Sequence, residues 1–144
     1  MNPPFPDNQA LLARAKQARE NAYAPYSQYK VGSALLASSG KVYIGTNVET
    51  CNWASICSER TAFTAAVANG ERSLKKIAIM TAGDQPGTPC GDCRQFMAEF
   101  ADDDFEVILG TIDGKTAHYR LGELLPHAFR PARLPQNQPD AQSK

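Results

Sequence analysis

Apolar residues recur along the chain at two spacings, and each change of spacing separates two predicted elements. After Asp7, a residue suited to capping a helix, apolar residues recur over positions 11–22 with the 3.6-residue period of a helix. Pro25 ends this pattern. Residues 31–37 and 41–45 flank a Ser-Gly turn and are predicted to form the two strands of a hairpin. The first third of the chain therefore predicts one helix followed by two strands.

The rest of the chain alternates between helical and extended patterns. An alanine-rich segment begins at Cys57, carries an acidic residue in its first turn and ends on Asn69-Gly70, which is typical of a helix. Another helix is predicted over 91–101. Three short strands are predicted over 76–80, 105–109 and 115–119.

This order of elements predicts an α/β fold. Helix, hairpin, helix, strand, helix, strand, strand favours a three-layer α/β/α sandwich around a mixed sheet of about five strands. Residues 8–130 are expected to form one catalytic domain. Prolines and polar residues crowd both ends, so 1–7 is predicted to be a proline-rich arm and 131–144 a poorly ordered tail.

Composition and charge exclude several classes of protein. Lys plus Arg and Asp plus Glu number 15 each, so the formal net charge is zero and the basic surface of a polynucleotide binder is not expected. The apolar runs are too short to span a bilayer, and the N-terminus does not resemble a secretory signal. We therefore expect a cytoplasmic protein that binds neither membrane nor nucleic acid, in which cysteines are metal ligands or reactive thiols.

Three of the four cysteines have the spacing of a metal site. Cys90 and Cys93 lie three residues apart at the start of a predicted helix, and Cys57 opens another helix. Three thiolates leave a fourth tetrahedral position on zinc for water, as in catalytic sites. Glu59 completes the pattern C-x-E followed by P-C-x-x-C, the signature of zinc deaminases, in which the glutamate is the acid and base rather than a ligand.

The chemistry explains this grouping of residue types. Zinc lowers the pKa of water toward ~7, and an adjacent carboxylate then moves protons. Attack at C4 of a cytosine ring needs one mobile proton carrier, which we assign to Glu59. Three thiolates leave a local charge of about −1, which Arg60 is positioned to offset; Arg94 is a second candidate.

Beyond these motifs, the chain resembles the small homotetrameric zinc-dependent cytidine deaminases. Six blocks carry the resemblance, in the family's order and over roughly residues 10–130: 22–27, 31–36, 45–49, 57–62, 89–95 and 124–129. The resemblance implies one Zn²⁺ per chain and hydrolysis of cytidine or deoxycytidine to the uridine nucleoside and ammonia, in pyrimidine salvage. It also implies a homotetramer with shared active sites.

The resemblance assigns further roles at matching positions. Asn47 and Glu49 would hold the ribose hydroxyls, and the backbone N–H of Ser58 would meet the base carbonyl. Phe129 would reach a neighbouring subunit's site. Tyr29 stands where the family commonly has Phe and would stack near the base.

Residues 50–56 depart from the family pattern, and we expect them to line the pocket. Tolerance at the base would then shift, and a cytosine-nucleoside antibiotic or an N4-substituted cytidine is an alternative substrate. Trp53 is interpreted equally well as a residue of this pocket segment with a role in the site or as a plain core or interface aromatic, and Cys51 is interpreted as a small buried apolar residue.

Other interpretations remain open at this stage. Cys51 could complete a non-catalytic four-cysteine zinc site, and the same zinc chemistry could act on RNA or DNA. Asn47 and Glu49 could simply belong to a turn that leaves a strand. His118 and His127 have no metal-ligand spacing and are assigned no role.

Overall fold

The structure is a computed structural model that describes residues 4–131. The first helix, α1, spans Asn8–Arg19, and the Asp7 side chain caps it by accepting a hydrogen bond from the Ala10 N–H at 2.8 Å. It ends about one turn before the predicted limit at Ala22. No helix in the described part of the chain is long and apolar enough to cross a membrane.

Within residues 4–131, five strands form one mixed sheet in the order β2-β1-β3-β4-β5. Only β3 and β4 are parallel, and the other neighbours are antiparallel. The strands are β1 (Gly32–Ala37), β2 (Val42–Thr46), β3 (Leu74–Thr81), β4 (Glu106–Thr111) and β5 (Thr116–Arg120). All five lie where the sequence predicts strands, with ends that differ by at most two residues.

Helices cover both faces of the sheet, which confirms the predicted three-layer arrangement. On one face α1 packs against β1 and β3 through a cluster that includes Leu12, Leu36 and Met80. On the other face lie α2 (Ser58–Ala68) and α3 (Gly91–Phe100), whose Phe63 and Met97 share a core with Leu35. A fourth helix, α4 (Leu121–Leu124), was not predicted; a single turn leaves too short a period to detect.

Glycine lets α2 approach the sheet closely. A Cβ on Gly45 of β2 would overlap the carbonyl oxygen of Ser58 and the backbone nitrogen of Ala62, both in α2. Only a residue without a side chain fits between this strand and this helix. The close approach fixes where the N-terminus of α2 lies relative to the end of the sheet.

The predicted domain limits are only partly within the described residues. Residues 1–3 of the proposed arm and 132–144 of the proposed tail lie outside them. Within the arm, the Phe5 ring lies 4.9 Å from the ammonium of Lys75. The division into arm, domain and tail stays a prediction.

Candidate metal centre

The three cysteines that the sequence selects converge on one point. The sulfur atoms of Cys57, Cys90 and Cys93 all lie within 4.8 Å of one another, and those of Cys57 and Cys90 are 3.8 Å apart. Two thiolates on tetrahedral zinc, with Zn–S bonds of about 2.3 Å, stand about 3.8 Å apart. The sulfur positions and the donor type therefore both fit a bound zinc ion.

Two helix N-termini present these sulfurs. Cys57 is the N-cap of α2, Cys90 is the N-cap of α3, and Cys93 lies in the first turn of α3. In the described part of the chain, neither N-cap side chain makes a capping hydrogen bond. Because the N-terminal end of a helix carries partial positive charge, it favours a thiolate over a thiol at these positions.

Hydrogen bonding shifts the pKa values of Cys57 and Cys93 in opposite directions. A hydrogen bond from Cys93 is the largest influence on Cys57; together with Arg60, it lowers the pKa of Cys57 to about 5 against the effect of burial. The same hydrogen bond and burial raise the pKa of Cys93. The lowered pKa therefore favours the negatively charged thiolate form of Cys57.

Arg60 lies beside the cysteine sulfurs, whereas the hydrogen bonds of Arg94 go to other groups. The Arg60 Nη2 is 3.8 Å from the Sγ of Cys57, and its buried Nε has no hydrogen-bond partner within residues 4–131. Arg94 instead donates to the carbonyls of Pro89 and Leu124, each at 2.7 Å. Of the two candidate arginines, only Arg60 is placed to balance thiolate charge.

Glu59 is a buried carboxylate at this centre, with 6% of its surface exposed. Burial raises its pKa, since a carboxylate away from water prefers its neutral form. Its Oε2 accepts a hydrogen bond from the Ser58 hydroxyl at 2.9 Å, and the Ser58 Oγ is 2.6 Å from the Oγ of Ser33. The sequence analysis missed Ser33, although it is the one hydroxyl-bearing residue in the otherwise apolar strand β1.

A cavity of about 210 Å³ opens beside the metal centre. It brings together three predicted substrate-contact residues, Tyr29, Asn47 and Ser58, with Glu59. Two residues that the sequence analysis did not select, Thr81 and Gly87, form part of its wall; no motif marks them. The lining residues are Tyr29, Val31, Asn47, Cys57, Ser58, Glu59, Ile79, Thr81, Gly87, Thr88 and Cys90.

Asn47 and Glu49 hold the loop that precedes β1. The Asn47 side chain accepts a hydrogen bond from the Val31 N–H and donates one to the Tyr29 carbonyl, both at 2.8 Å. The Glu49 carboxylate accepts from the N–H and the hydroxyl of Ser27, each at 3.1 Å, and does not line the cavity. These contacts agree with the turn interpretation, while a sugar-binding role stays a prediction.

Two expectations about residues 50–56 are wrong, namely a buried Cys51 and a segment that lines the pocket. Cys51 is exposed. Trp53 has 83% of its surface exposed, which excludes the core interpretation, while the interface interpretation stays a prediction. No residue of the segment lines the 210 Å³ cavity. The physical reason is that backbone hydrogen bonds between Val48 and Ile56 close the base of this loop, so that the residues between them project outward.

Comparisons with known proteins agree with this geometry. The family described as "Cytidine and deoxycytidylate deaminase zinc-binding region" matches residues 6–109. The chain is 44% identical to a cytidine deaminase of Sporosarcina psychrophila over 124 residues, which cover 85% of this chain and 91% of that protein.

Solved structures show the same likeness. A crystal structure of cytidine deaminase from Burkholderia pseudomallei superposes with a TM-score of 0.83 at 43% identity, over 86% of this chain and 100% of that one. For the Mycobacterium tuberculosis cytidine deaminase the TM-score is 0.74 at 33% identity, over 86% and 98% of the two chains. Sequence and fold therefore point to the same relatives.

Proposed function

The chain belongs to the cytidine and deoxycytidylate deaminase family, and from that premise we propose the residue roles by which it works. It is a zinc-dependent enzyme that deaminates cytidine by hydrolysis. One observation supports the assignment of roles to residues: three cysteine sulfurs meet at two helix N-termini, and the buried Glu59 lines the same cavity as Cys57 and Cys90.

Cys57, Cys90 and Cys93 hold one zinc ion per chain. Three protein ligands leave one tetrahedral position open. When bound there, zinc lowers the pKa of a water molecule toward ~7 and so supplies the nucleophile. Arg60 offsets the excess negative charge of three thiolates, which would otherwise oppose loss of a proton from that water.

Glu59 is the proton carrier in this proposal. As water adds to C4 of the cytosine ring, its proton passes through the Glu59 carboxylate to N3. The proton of the new C4 hydroxyl then passes through Glu59 to the amino group, the C4–N bond breaks and ammonia leaves. C4 keeps its oxygen as a carbonyl, N3 keeps its proton, and the product is the uridine nucleoside.

The other contacts orient the nucleoside. Ser58 is the first residue of α2, so its N–H has no partner within the helix and is available to the base carbonyl. Tyr29 and Asn47 line the cavity, which supports roles beside the base and toward the sugar, respectively. For Glu49 the support is weaker, because its carboxylate faces Ser27 rather than the cavity.

The alternative functions have less support. Cys51 is exposed and lies outside the cysteine cluster, which argues against a four-cysteine structural zinc site. The zero net charge gives no support to a polynucleotide substrate. A preference for antibiotic or N4-substituted nucleosides was inferred from residues 50–56, and these do not line the cavity.

A homotetramer with shared active sites, a cytoplasmic location and a place in pyrimidine salvage are also part of the proposal. The Phe129 side chain is 55% exposed, which leaves it available to a partner's site, and the Gln95 amide donates to its carbonyl at 2.7 Å. Mixing a Phe129→Ala chain with a Glu59→Gln chain tests the sharing. Mixed oligomers should regain activity that neither variant has alone, and a monomer in solution would contradict the proposal.

The activity itself is tested on the zinc-loaded protein with a panel of nucleosides. Cytidine and deoxycytidine should release ammonia and give the uridine nucleosides. Adenosine and guanine should react much more slowly, and an N4-substituted cytidine serves as the probe for the alternative substrate class. Faster turnover of adenosine or guanine than of either cytosine nucleoside would overturn the substrate class.

A further inference from the structure

A pair of buried serine hydroxyls connects the centre of the sheet to Glu59. Ser33 lies in β1, between Gly45 of β2 and Ile79 of β3, and Ser58 opens α2. Their Oγ atoms are 2.6 Å apart, and neither residue has any exposed surface. A buried hydroxyl pair in an apolar layer has a cost in stability unless both groups are hydrogen bonded.

Proton counting gives this chain of hydrogen bonds a direction. An ionised carboxylate can only accept, so the Ser58 hydroxyl must donate its one proton to the Oε2 of Glu59 at 2.9 Å. The Ser58 oxygen is then the acceptor for Ser33, whose own proton fills that contact. The order is Ser33 to Ser58 to Glu59.

We propose that Ser33 and Ser58 are positioning residues, which hold the Glu59 carboxylate in one rotation for its two successive proton transfers. The last torsion of a glutamate side chain is broad and roughly two-fold, so burial alone does not select one orientation. A hydrogen bond to one named oxygen does. The inference rests on the proposed role of Glu59 and assigns no chemical step to either serine.

The test uses wild type, Ser33→Ala, Ser58→Ala and the double variant, all loaded with zinc. Ser58→Ala keeps its backbone N–H, so the KM for cytidine should stay within about two-fold while kcat falls about 3–10-fold. Because Ser33 acts only through Ser58, the double variant should lose no more kcat than Ser58→Ala. Zinc content should remain one per chain in all four proteins.

Stability should follow a different order from kcat. Ser58→Ala leaves the buried Ser33 hydroxyl without its partner, whereas the double variant removes both hydroxyls. The double variant should therefore melt at a higher temperature than Ser58→Ala while keeping the low kcat. A purely structural role predicts instead that kcat recovers together with the melting temperature.

A matched control exists in the same chain. Ser38 and Ser73 form an exposed hydroxyl pair with their Oγ atoms 2.8 Å apart, and neither lines the cavity beside the zinc ligands. Their alanine variants should keep the wild-type kcat. If Ser33→Ala does not fold, Ser58→Ala and the double variant still carry the comparison.

The outcomes separate the two levels of the proposal. Wild-type protein that leaves cytidine unchanged would overturn the proposed function and, with it, the serine inference. Normal wild-type turnover with a kcat in Ser58→Ala within two-fold of wild type would overturn the serine inference alone. A double variant markedly slower than Ser58→Ala would also overturn it, since Ser33 would then act by another route.

Discussion

The guanidinium Nη2 of Arg60, in the first turn of α2, lies 3.8 Å from the Sγ of Cys57, the N-cap residue of the same helix. This spacing lets one helix provide both a zinc ligand and the positive charge that stabilises its thiolate. Arg60 contributes to the low pKa of Cys57, about 5, and the thiolate in turn raises the pKa of Arg60. The charge of the Cys57 sulfur in the metal site therefore depends in part on the Arg60 side chain.

Replacing Arg60 with Gln should lower zinc affinity about 10–100-fold without removing a ligand. The loss should be larger at pH 6 than at pH 8. Without the guanidinium, the pKa of Cys57 rises from about 5, so protons compete with zinc more effectively as the pH falls. Competition with a chromophoric chelator at both pH values measures this, and Arg60→Lys, which keeps the charge, should fall between. Equal affinities for Arg60→Gln and wild type would remove Arg60 from the site.

Zinc should bind at one ion per chain and depend on three of the four cysteines. Cys57→Ser, Cys90→Ser and Cys93→Ser should each lose the metal, while Cys51→Ser, changed on an exposed loop, should keep it. Metal analysis of the four purified variants gives the answer, with Cys51→Ser as the control. Loss of zinc from Cys51→Ser alone would instead support the interpretation as a four-cysteine structural zinc site.

Glu59→Gln should keep the fold and the zinc but lower kcat at least ~10²–10⁴-fold, because an amide cannot carry the proton. Steady-state kinetics on cytidine, together with zinc content and a thermal melt, tests this expectation. Near-normal turnover in a zinc-loaded variant would mean that another group moves the protons.

Free cytosine should be a much poorer substrate than cytidine or deoxycytidine. If Asn47 and Glu49 bind the sugar, a free base leaves these polar groups without partners. The comparison of kcat/KM for the base and the two nucleosides measures the effect. The variant Glu49→Gln provides a second test, because it should lower kcat/KM for cytidine more than for cytosine. Equal kcat/KM values for cytosine and cytidine would show that neither Asn47 nor Glu49 binds the sugar.

Gly45→Ala should lower the free energy of unfolding by about 1–3 kcal/mol, because the new methyl group overlaps the backbone of α2 at Ser58 and Ala62. It should weaken zinc binding as well, since α2 also carries Cys57. Denaturant unfolding of the zinc-bound protein measures the change. Gly91→Ala is the control, because a Cβ at that position meets nothing within 4 Å. Similar stability for the two variants would contradict the close packing of β2 and α2.

Local patterns made much of this protein predictable. Helical and strand periods located α1, α2, α3 and the five strands, because each element carries its own spacing of apolar residues. Cys57, Cys90, Cys93 and Glu59 were selected because they match the zinc deaminase signature, whose spacing follows from the atoms that zinc and proton transfer demand near helix starts. The predictions that Cys51 is buried and that residues 50–56 line the pocket were wrong, since the direction of this loop depends on the backbone bridge between Val48 and Ile56.

The sequence by itself determined the kinds of atom available to the site: three thiols, one carboxylate and one guanidinium at spacings that helices can bring together. Only the tertiary structure decided which groups surround that carboxylate. Ser33 reaches Glu59 through Ser58 because β1 and α2 pack against each other across 25 residues of sequence. The cavity likewise places Thr81 and Gly87 in one wall with Tyr29 and Asn47, which lie far earlier in the chain. Such contacts arise from the packing of layers and leave no period or spacing in the chain.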